Sequence, residues 1–554
     1  MPNIFQQQLI DTPREVLNWK LGLGVLCFGI MGASRGIDEG LISGTVNQKS
    51  FIAEYHLDDP DMSTEDRASR LGNITGMVQI GSILGALLAF IMTDRIGRVW
   101  ATRELCAIWM VGIAIFMTAD GRIGQVYAGR FIAGIGIGQT TVVAPTYLAE
   151  ISPRAIRGLC TCAFSGSVYL GIMLSYFASW GSSIHLSNTS AKQWMQIVPT
   201  TLHFIFAGII VILSFTVYES PRYLIKANKQ DQAAKTMAKL RNLPSDHPYV
   251  QTEMTDIQAQ LEREREATLG SHMFGPLKEL FILPSNRYRV MIGLMSQLLS
   301  QWSGANSITI YAPRFFALLG TTGQSEKLFA TAIFGVVKFV SSLVCALFLV
   351  DFLGRKRALG YGITLQFVSM LYVAIYLAVV PSMQSGFIPD GHSKRAGTAA
   401  IVSIYVSGVG WALGWNNIQY LINAEIFPLR VRSLATSMVM CFHFANQYGN
   451  SKAVPTMLLD TAMRPYGTFF FFAMVTLVGL VWMWFFLPET AGKSLEAMDE
   501  MFSLPWYIIG RKGAAITAGS GHAEAYRSGD VEKNPISSEC REFVPRVKKE
   551  EENQ

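Results

Sequence analysis

Gly129-Arg130-Phe-Ile-Ala-Gly134-Ile-Gly136-Ile-Gly138-Gln-Thr-Thr-Val-Val-Ala-Pro-Thr-Tyr-Leu-Ala-Glu150-Ile-Ser-Pro-Arg154-Ala-Ile-Arg157-Gly158 is the stretch that decides the fold. Between Arg130 and Glu150 it holds no charge, and at about 20 residues it is long enough to cross a bilayer as a helix. Gly134 and Gly138 fall on one helix face with Gly136 beside them, a spacing that lets a second helix backbone approach closely inside lipid. The glycines run G-x-G-x-G, without the extra residue or the strand–helix–strand context of a dinucleotide loop. Arg130 inside such a helix is expensive unless a carboxylate from another segment faces it. The rest of the chain has to supply that carboxylate.

Half of the 554 residues are hydrophobic and only 16% are charged, a balance foreign to ordinary soluble domains. The apolar residues gather into twelve runs, near 21–45, 71–93, 103–119, 124–148, 158–180, 196–217, 289–318, 327–350, 357–380, 398–423, 433–456 and 466–487. The expectation is an all-α membrane protein of two six-helix bundles, 21–217 and 289–487. A polar N-terminus (1–20) precedes them, a linker with short helices (218–288) joins them, and a largely disordered tail (488–554) follows. No cleavable signal peptide is read at the N-terminus. The net charge of +6 is locally patterned, so it needs no nucleic-acid partner; the lipid bilayer is the partner it implies. Cys27, Cys106, Cys160, Cys162, Cys345, Cys441 and Cys540 have neither metal-ligand nor disulfide spacing, and no metal or cofactor is expected.

Basic residues in short loops gather at Asp94-Arg-Ile-Gly-Arg98, Arg154, Arg157, Arg222, Arg355-Lys-Arg357, Arg430 and Arg432, all on one side if twelve spans alternate. That side and both termini are expected in the cytoplasm. The opposite loop, with Glu54, Asp58, Asp59, Asp61, Glu65 and Asp66, is acidic, and a glycosylation sequon, Asn188-Thr-Ser190, lies on the same opposite side. The chain also repeats itself. Asp94-Arg-Ile-Gly-Arg98 recurs as Asp351-Phe-Leu-Gly-Arg355, Glu150-Ile-Ser-Pro-Arg-Ala-Ile-Arg157 as Glu425-Ile-Phe-Pro-Leu-Arg-Val-Arg432, and Glu219-Ser-Pro-Arg222 has an echo in Pro488-Glu-Thr490. Three echoes in one order at a nearly constant offset mean two six-span halves in parallel.

These repeated motifs resemble the sugar porter family of the major facilitator superfamily across roughly residues 15–500. Thr12-Pro-Arg-Glu-Val-Leu-Asn-Trp19, Arg241-Asn-Leu-Pro-Ser-Asp-His247, Gly335-Val-Val-Lys338 and Arg432-Ser-Leu-Ala435 are similar to its fungal quinate permease and sugar-acid branch. The resemblance implies alternating access of two bundles around one central site. Duplication of the charged set implies a gate: Asp94, Arg98, Glu150, Arg157 and Glu219 in one half, with Asp351, Arg355, Glu425 and Arg432 in the other, as inter-helix ion pairs. The bland reading is a set of solvated helix ends.

Asp38 is the candidate partner of Arg130, and it aligns with the aspartate that proton-coupled members carry. Burial raises a carboxyl pKa and a nearby arginine lowers it, so such a site can load and release a proton. Arg35 stands one turn before Asp38, where the family has an aromatic; it either holds Asp38 ionised or takes Glu39 at i+4. Ser300-Gln301-Trp-Ser-Gly-Ala-Asn306 resembles the family's sugar-binding QQxxGxN signature, retaining Gln301 and Asn306. The resemblance further implies substrate contacts at Ser165 (a Gln in the family), Trp415 (its sugar-stacking Trp), Asn417 in the following Asn-Asn, and His443 (a Trp in the family). Lys338, half-way along the eighth span, cannot easily reach either membrane surface. A buried cation there suits a substrate carboxylate, with an acidic neighbour as the structural alternative.

The expectation is therefore a proton-coupled importer of a monosaccharide or of a sugar or cyclitol acid such as quinate or galacturonate, resident in the plasma membrane. The rivals are a passive hexose uniporter and a nutrient sensor; no nucleophile–base or metal constellation favours an enzyme.

Overall fold

The computed structural model describes residues 13–153, 156–186, 194–268, 275–321, 323–346, 354–380, 391–416, 426–459, 461–489, 501–502 and 509. Among them every regular element is a helix. Span 1 is Trp19–Gly29 continued by Gly32–Thr45, span 2 Thr64–Ile96, span 3 Arg98–Met117, span 4 Ile123–Ile151, span 5 Arg157–His185, and span 6 Trp194–Thr200 with Leu202–Ser214. Span 7 is Pro284–Trp302 followed by Ala305–Leu318, span 8 Gln324–Val344, span 9 Arg355–Val379, span 10 Gly391–Trp411 with a π-helical turn Ala412–Asn416, span 11 Leu429–Met457, and span 12 Arg464–Phe486. Large apolar side chains such as Leu87, Ile212, Val379, Val478 and Trp484 point outward, as a lipid-facing perimeter requires.

Ten of these spans are long and apolar enough to cross a membrane on composition alone; spans 7 and 11 are not among them. Their shortfall has a physical cause. Span 7 breaks at Ser303-Gly304, where Gly304 takes φ +87° with the Phe472 ring packed where a Cβ would stand. Only glycine adopts that conformation without strain. The backbone groups freed by the break are taken up by neighbours: Gln366 Nε2 donates to Ser303 O at 3.1 Å, and the Asn450 amide donates to Gln301 O. Span 11 carries Ser437, His443, Asn446, Gln447, Asn450, Ser451 and Lys452. Polar groups at membrane depth mark a pathway and face the bundle interior rather than lipid.

In the first half, span 4 packs on spans 2 and 3 through its glycines. A Cβ at Gly134 or Gly138 would run into the backbone of Val78 or Ser82, and one at Gly136 into Leu105 and Trp109. A second stripe, which the sequence reading did not single out, is Gly32, Gly36, Gly40 and Gly44 on span 1. It lies against Phe164, Val168, Ile172, Ser175 and Ser179 of span 5. With no hydrophobic effect between helices in lipid, this close van der Waals contact is what holds them together. Gly36→Val therefore drives spans 1 and 5 apart, and the purified variant is expected to lose its monodisperse peak in size-exclusion chromatography. A peak like that of the wild type would disprove the packing role.

The two halves meet mainly where span 2 packs on span 11 and span 5 on span 8. The linker folds as Pro221–Lys226, Gln230–Arg241 and Pro248–Thr268 around a small core that includes Leu224, Met237 and Met254, while Gly275–Ile282 packs on spans 7 and 11. Buried Arg241 anchors it to the first half, donating to Ile151 O at 2.7 Å and pairing with Glu253 at 2.7 Å. The Asn188 sequon, Arg154, Asp351, Asn417, Glu425 and nearly all of the tail lie outside the described residues.

Candidate functional site

Arg130 and Asp38 meet in the first half. Both guanidinium Nη atoms lie 3.2 Å from the two carboxylate oxygens, and both side chains are buried. Arg130 Nη2 also reaches Thr75 O at 3.5 Å. The bidentate fork is the geometry in which arginine holds a carboxylate most strongly. Arg35 turns toward Glu39: Nε donates to Glu39 Oε1 at 2.9 Å and Nη2 to Gln447 Oε1 at 3.2 Å. Gln447 Nε2 donates to the same Glu39 oxygen at 2.8 Å and lies 3.3 Å from Asn306 Oδ1. Span 1 is thus tied to span 11 by a closed ring of three side chains, Arg35, Glu39 and Gln447, and through Gln447 to Asn306 of span 7.

This ring forms one wall of a narrow central cavity between the halves. Arg35, Glu39, Ser165, Gln301, Asn306 and Lys338 line it, together with Tyr169, Thr309, Trp411 and Asn416. Lys338 is buried, donating to Thr309 Oγ1 at 2.7 Å, with its Nζ 5.1 Å from the Tyr169 ring centre and 5.3 Å from that of Phe334. Among the described residues no carboxylate lies within ion-pair distance of it. Gln301 Oε1 and Asn306 Nδ2 are buried without a hydrogen-bond partner among the described residues. A buried acceptor and a buried donor left open at one cavity are costly unless a ligand meets them.

The aromatic placement differs from the sequence expectation. Trp411 lines the cavity and donates from Nε1 to the Tyr169 hydroxyl at 2.6 Å, while Trp415 is packed behind it against Gly479 of span 12. The π-helical turn between them adds one residue to a turn and so rotates the following side chains. It brings Asn416 onto the cavity wall, accepting from Tyr169 at 2.9 Å and donating to Ser342 at 3.2 Å. His443 also stands behind the wall, its Nδ1 2.7 Å from Gln297 Oε1 and 3.3 Å from Gln301 Nε2, where it positions Gln301. Tyr169, Thr309, Trp411, Asn416 and Gln447 were not singled out from the sequence. They lie on spans that already held at least one named residue, which was the available signal.

At the basic end of the molecule, Arg98 Nη2 pairs with Glu150 at 2.8 Å and lies 3.8 Å from Asp94, which also takes Lys226 Nζ at 2.6 Å. Glu219 accepts from the backbone N–H of Arg98 at 3.0 Å and of Val99 at 3.1 Å, capping span 3. Burial raises the Glu219 carboxyl above the usual range, against the lowering by these amides. The second half repeats the device on span 9, with Glu489 accepting from Arg355 at 3.0 Å and Lys356 at 3.1 Å. Each cap places a carboxylate at the positive end of a helix. Arg432 donates to Phe427 O at 2.9 and 3.1 Å; Arg157 opens span 5, its side chain outside the described set. At the acidic end the halves are bolted together: Thr75 meets the Tyr311 hydroxyl at 2.8 Å, Lys452 donates to Asn73 at 2.7 Å, and Gln324 donates to Asn47 O at 2.9 Å.

Twelve spans among the described residues, in two similar halves around a central polar cavity, define a multi-pass membrane transporter with the major facilitator fold. The chain belongs to the family described as Sugar (and other) transporter, which it matches over residues 25–502. It is similar to the probable quinate permease of Aspergillus niger, at 32% identity over 493 residues and 89% of each chain. A similar match is the quinate permease of Emericella nidulans, at 32% over 494 residues, covering 89% of this chain and 90% of that one. Its fold is shared with the proton:xylose symporter XylE bound to 6-bromo-6-deoxy-D-glucose, at a TM-score of 0.72 and 22% identity, covering 87% of this chain and 99% of that chain. The partially occluded inward-open form of XylE from E. coli gives a TM-score of 0.69 at 21% identity, covering 86% and 100%.

Proposed function

We propose that this protein imports a monosaccharide-sized acid, quinate- or galacturonate-like, together with a proton, by alternating access of its two halves. Lys338 carries the reading. A buried ammonium that, among the described residues, donates to one hydroxyl, lies near two ring faces and has no carboxylate within ion-pair distance costs free energy that a substrate carboxylate offsets. Gln301, Asn306 and Asn416 offer amides to ring hydroxyls, and Ser165 a hydroxyl. The names of the fungal relatives support an acid as cargo. Proton coupling is supported by the Asp38–Arg130 pair and by Arg35 turning to Glu39 and Gln447. In this reading the basic end and both termini face the cytoplasm of a plasma-membrane protein. The Arg98–Glu150 pair and the two carboxylate caps form the gate, with Asp351, Glu425 and Arg432 as its second half.

The test is radiolabelled uptake at acidic pH into cells without their own carriers, comparing quinate, galacturonate and glucose with and without a protonophore. Uptake of an acid well above glucose, and lost with the protonophore, is expected. Preferred glucose uptake would remove Lys338 from the carboxylate role, and indifference to the protonophore would make the protein a uniporter.

A further inference from the structure

Three charged side chains among the described residues line the cavity: Arg35, Glu39 and Lys338. Asp38 and Arg130 form a matched pair of their own. The cavity wall therefore carries two cations and one anion, a surplus of one positive charge. Glu39 is not a spectator in that count. Its Oε1 takes both Arg35 Nε and Gln447 Nε2, so it occupies the one guanidinium that a second acidic group on the cargo would need.

We propose that Glu39 sets the charge of the cargo, restricting the cavity to one carboxylate by holding Arg35. This rests on the reading of Lys338 given above and adds the term it lacks. A neutral sugar leaves the Lys338 ammonium uncompensated. A monoanion compensates it. A dianion brings its second carboxylate to a guanidinium already taken and to the like charge of Glu39, which an enclosed site penalises. The same bonds connect span 1 to Gln447 of span 11, which in turn holds Asn306 of span 7, so the charge filter sits on the contact between the two halves.

The test is calorimetric binding to the purified full chain of three ligands of rising charge: glucose, galacturonate and the dicarboxylate galactarate. The unmodified protein should prefer galacturonate to both others. In Glu39→Gln, with Arg35 no longer neutralised by that carboxylate, galactarate should gain on galacturonate by about tenfold or more, the low end of close charge pairs at interfaces. Lys338→Gln, with no surplus charge, should lose the preference for galacturonate over glucose. The double substitution, again with one surplus charge, should recover it through Arg35. Glu39→Asp, which keeps the charge, should continue to exclude galactarate.

Galactarate bound as tightly as galacturonate by the unmodified protein would overturn the proposal without any variant. So would a Glu39→Gln protein that is folded and still excludes the dianion, or a double variant without recovery. If Lys338→Gln keeps its preference for galacturonate, the carboxylate reading of Lys338 fails first, and this inference with it. If that preference is lost and the double variant does not restore it, only the charge filter fails.

Discussion

Asp38→Asn is expected to abolish uphill, protonophore-sensitive accumulation while leaving tracer exchange down a gradient measurable. The carboxylate is buried and held at 3.2 Å by both Nη atoms of Arg130, so it has no access to bulk water while the pair stands. Asparagine keeps the shape but only one of the two acceptor oxygens that face Arg130, and it takes up no proton. Cargo movement is then disconnected from the proton gradient. The substitution also leaves Arg130 without its counter-charge, at a cost of about 3–5 kcal/mol for a broken buried pair. The variant should melt well below the unmodified protein, and replacing Arg130 by Gln in the same chain should recover part of that loss without restoring accumulation. Counterflow in proteoliposomes, with and without an imposed pH gradient, separates the two effects. Accumulation that survives in Asp38→Asn would place the coupling proton elsewhere.

Lys338→Gln is expected to lower acid uptake by at least about tenfold, the size of one close charge interaction. Its stability should move the other way. Lys338 Nζ has Thr309 and two aromatic faces for company, and ring faces within about 6 Å give a cation modest support. Deleting an uncompensated buried charge removes a desolvation cost, so the apo variant should melt at the temperature of the unmodified protein or above it. A lysine whose role was to pair with a neighbouring carboxylate would give the opposite result, since its removal would strand that carboxylate. Thermal unfolding without cargo, read beside uptake, distinguishes the two. A fall in melting temperature with acid uptake unchanged would end the substrate role.

Much of the fold was legible because membranes punish irregularity. An unaccompanied charge at depth has to find a partner; Arg130 posed that demand, and the family resemblance pointed to Asp38, 92 residues away, which the structure places against it. The small-residue spacing of Gly134 and Gly138 likewise named a face, and the structure shows which helix lies on it. The duplicated acidic motifs at Glu219 and Glu489 reappear as matching caps on spans 3 and 9. The site was less legible. Trp411 and Trp415 lie one turn apart, and the π-helical turn decides which of them faces the cavity. A one-residue change of phase leaves no mark in composition or period. Gln447 and Tyr169 were invisible for another reason. Their bonds cross between halves, to Glu39 and Asn416, and a contact of that kind depends on how the bundles are set against each other.

The polarity of spans 7 and 11 has a consequence for biogenesis. A segment leaves the insertion machinery for lipid when its own transfer is favourable, and charged residues at mid-helix each oppose this by about 2.5–3.5 kcal/mol. These two helices fall short on composition, yet they pack on one another, with the Asn450 amide of one against the Gln301 carbonyl of the other. Span 7 is made first and has to wait at the machinery or lean on the finished first half. Span 11 then enters lipid with its polar stripe already facing a helix. The polar contacts that join spans 7 and 11 beside the proposed site thus also hold the nascent chain together during synthesis, and damage to them is expected to register first as protein that never reaches the membrane.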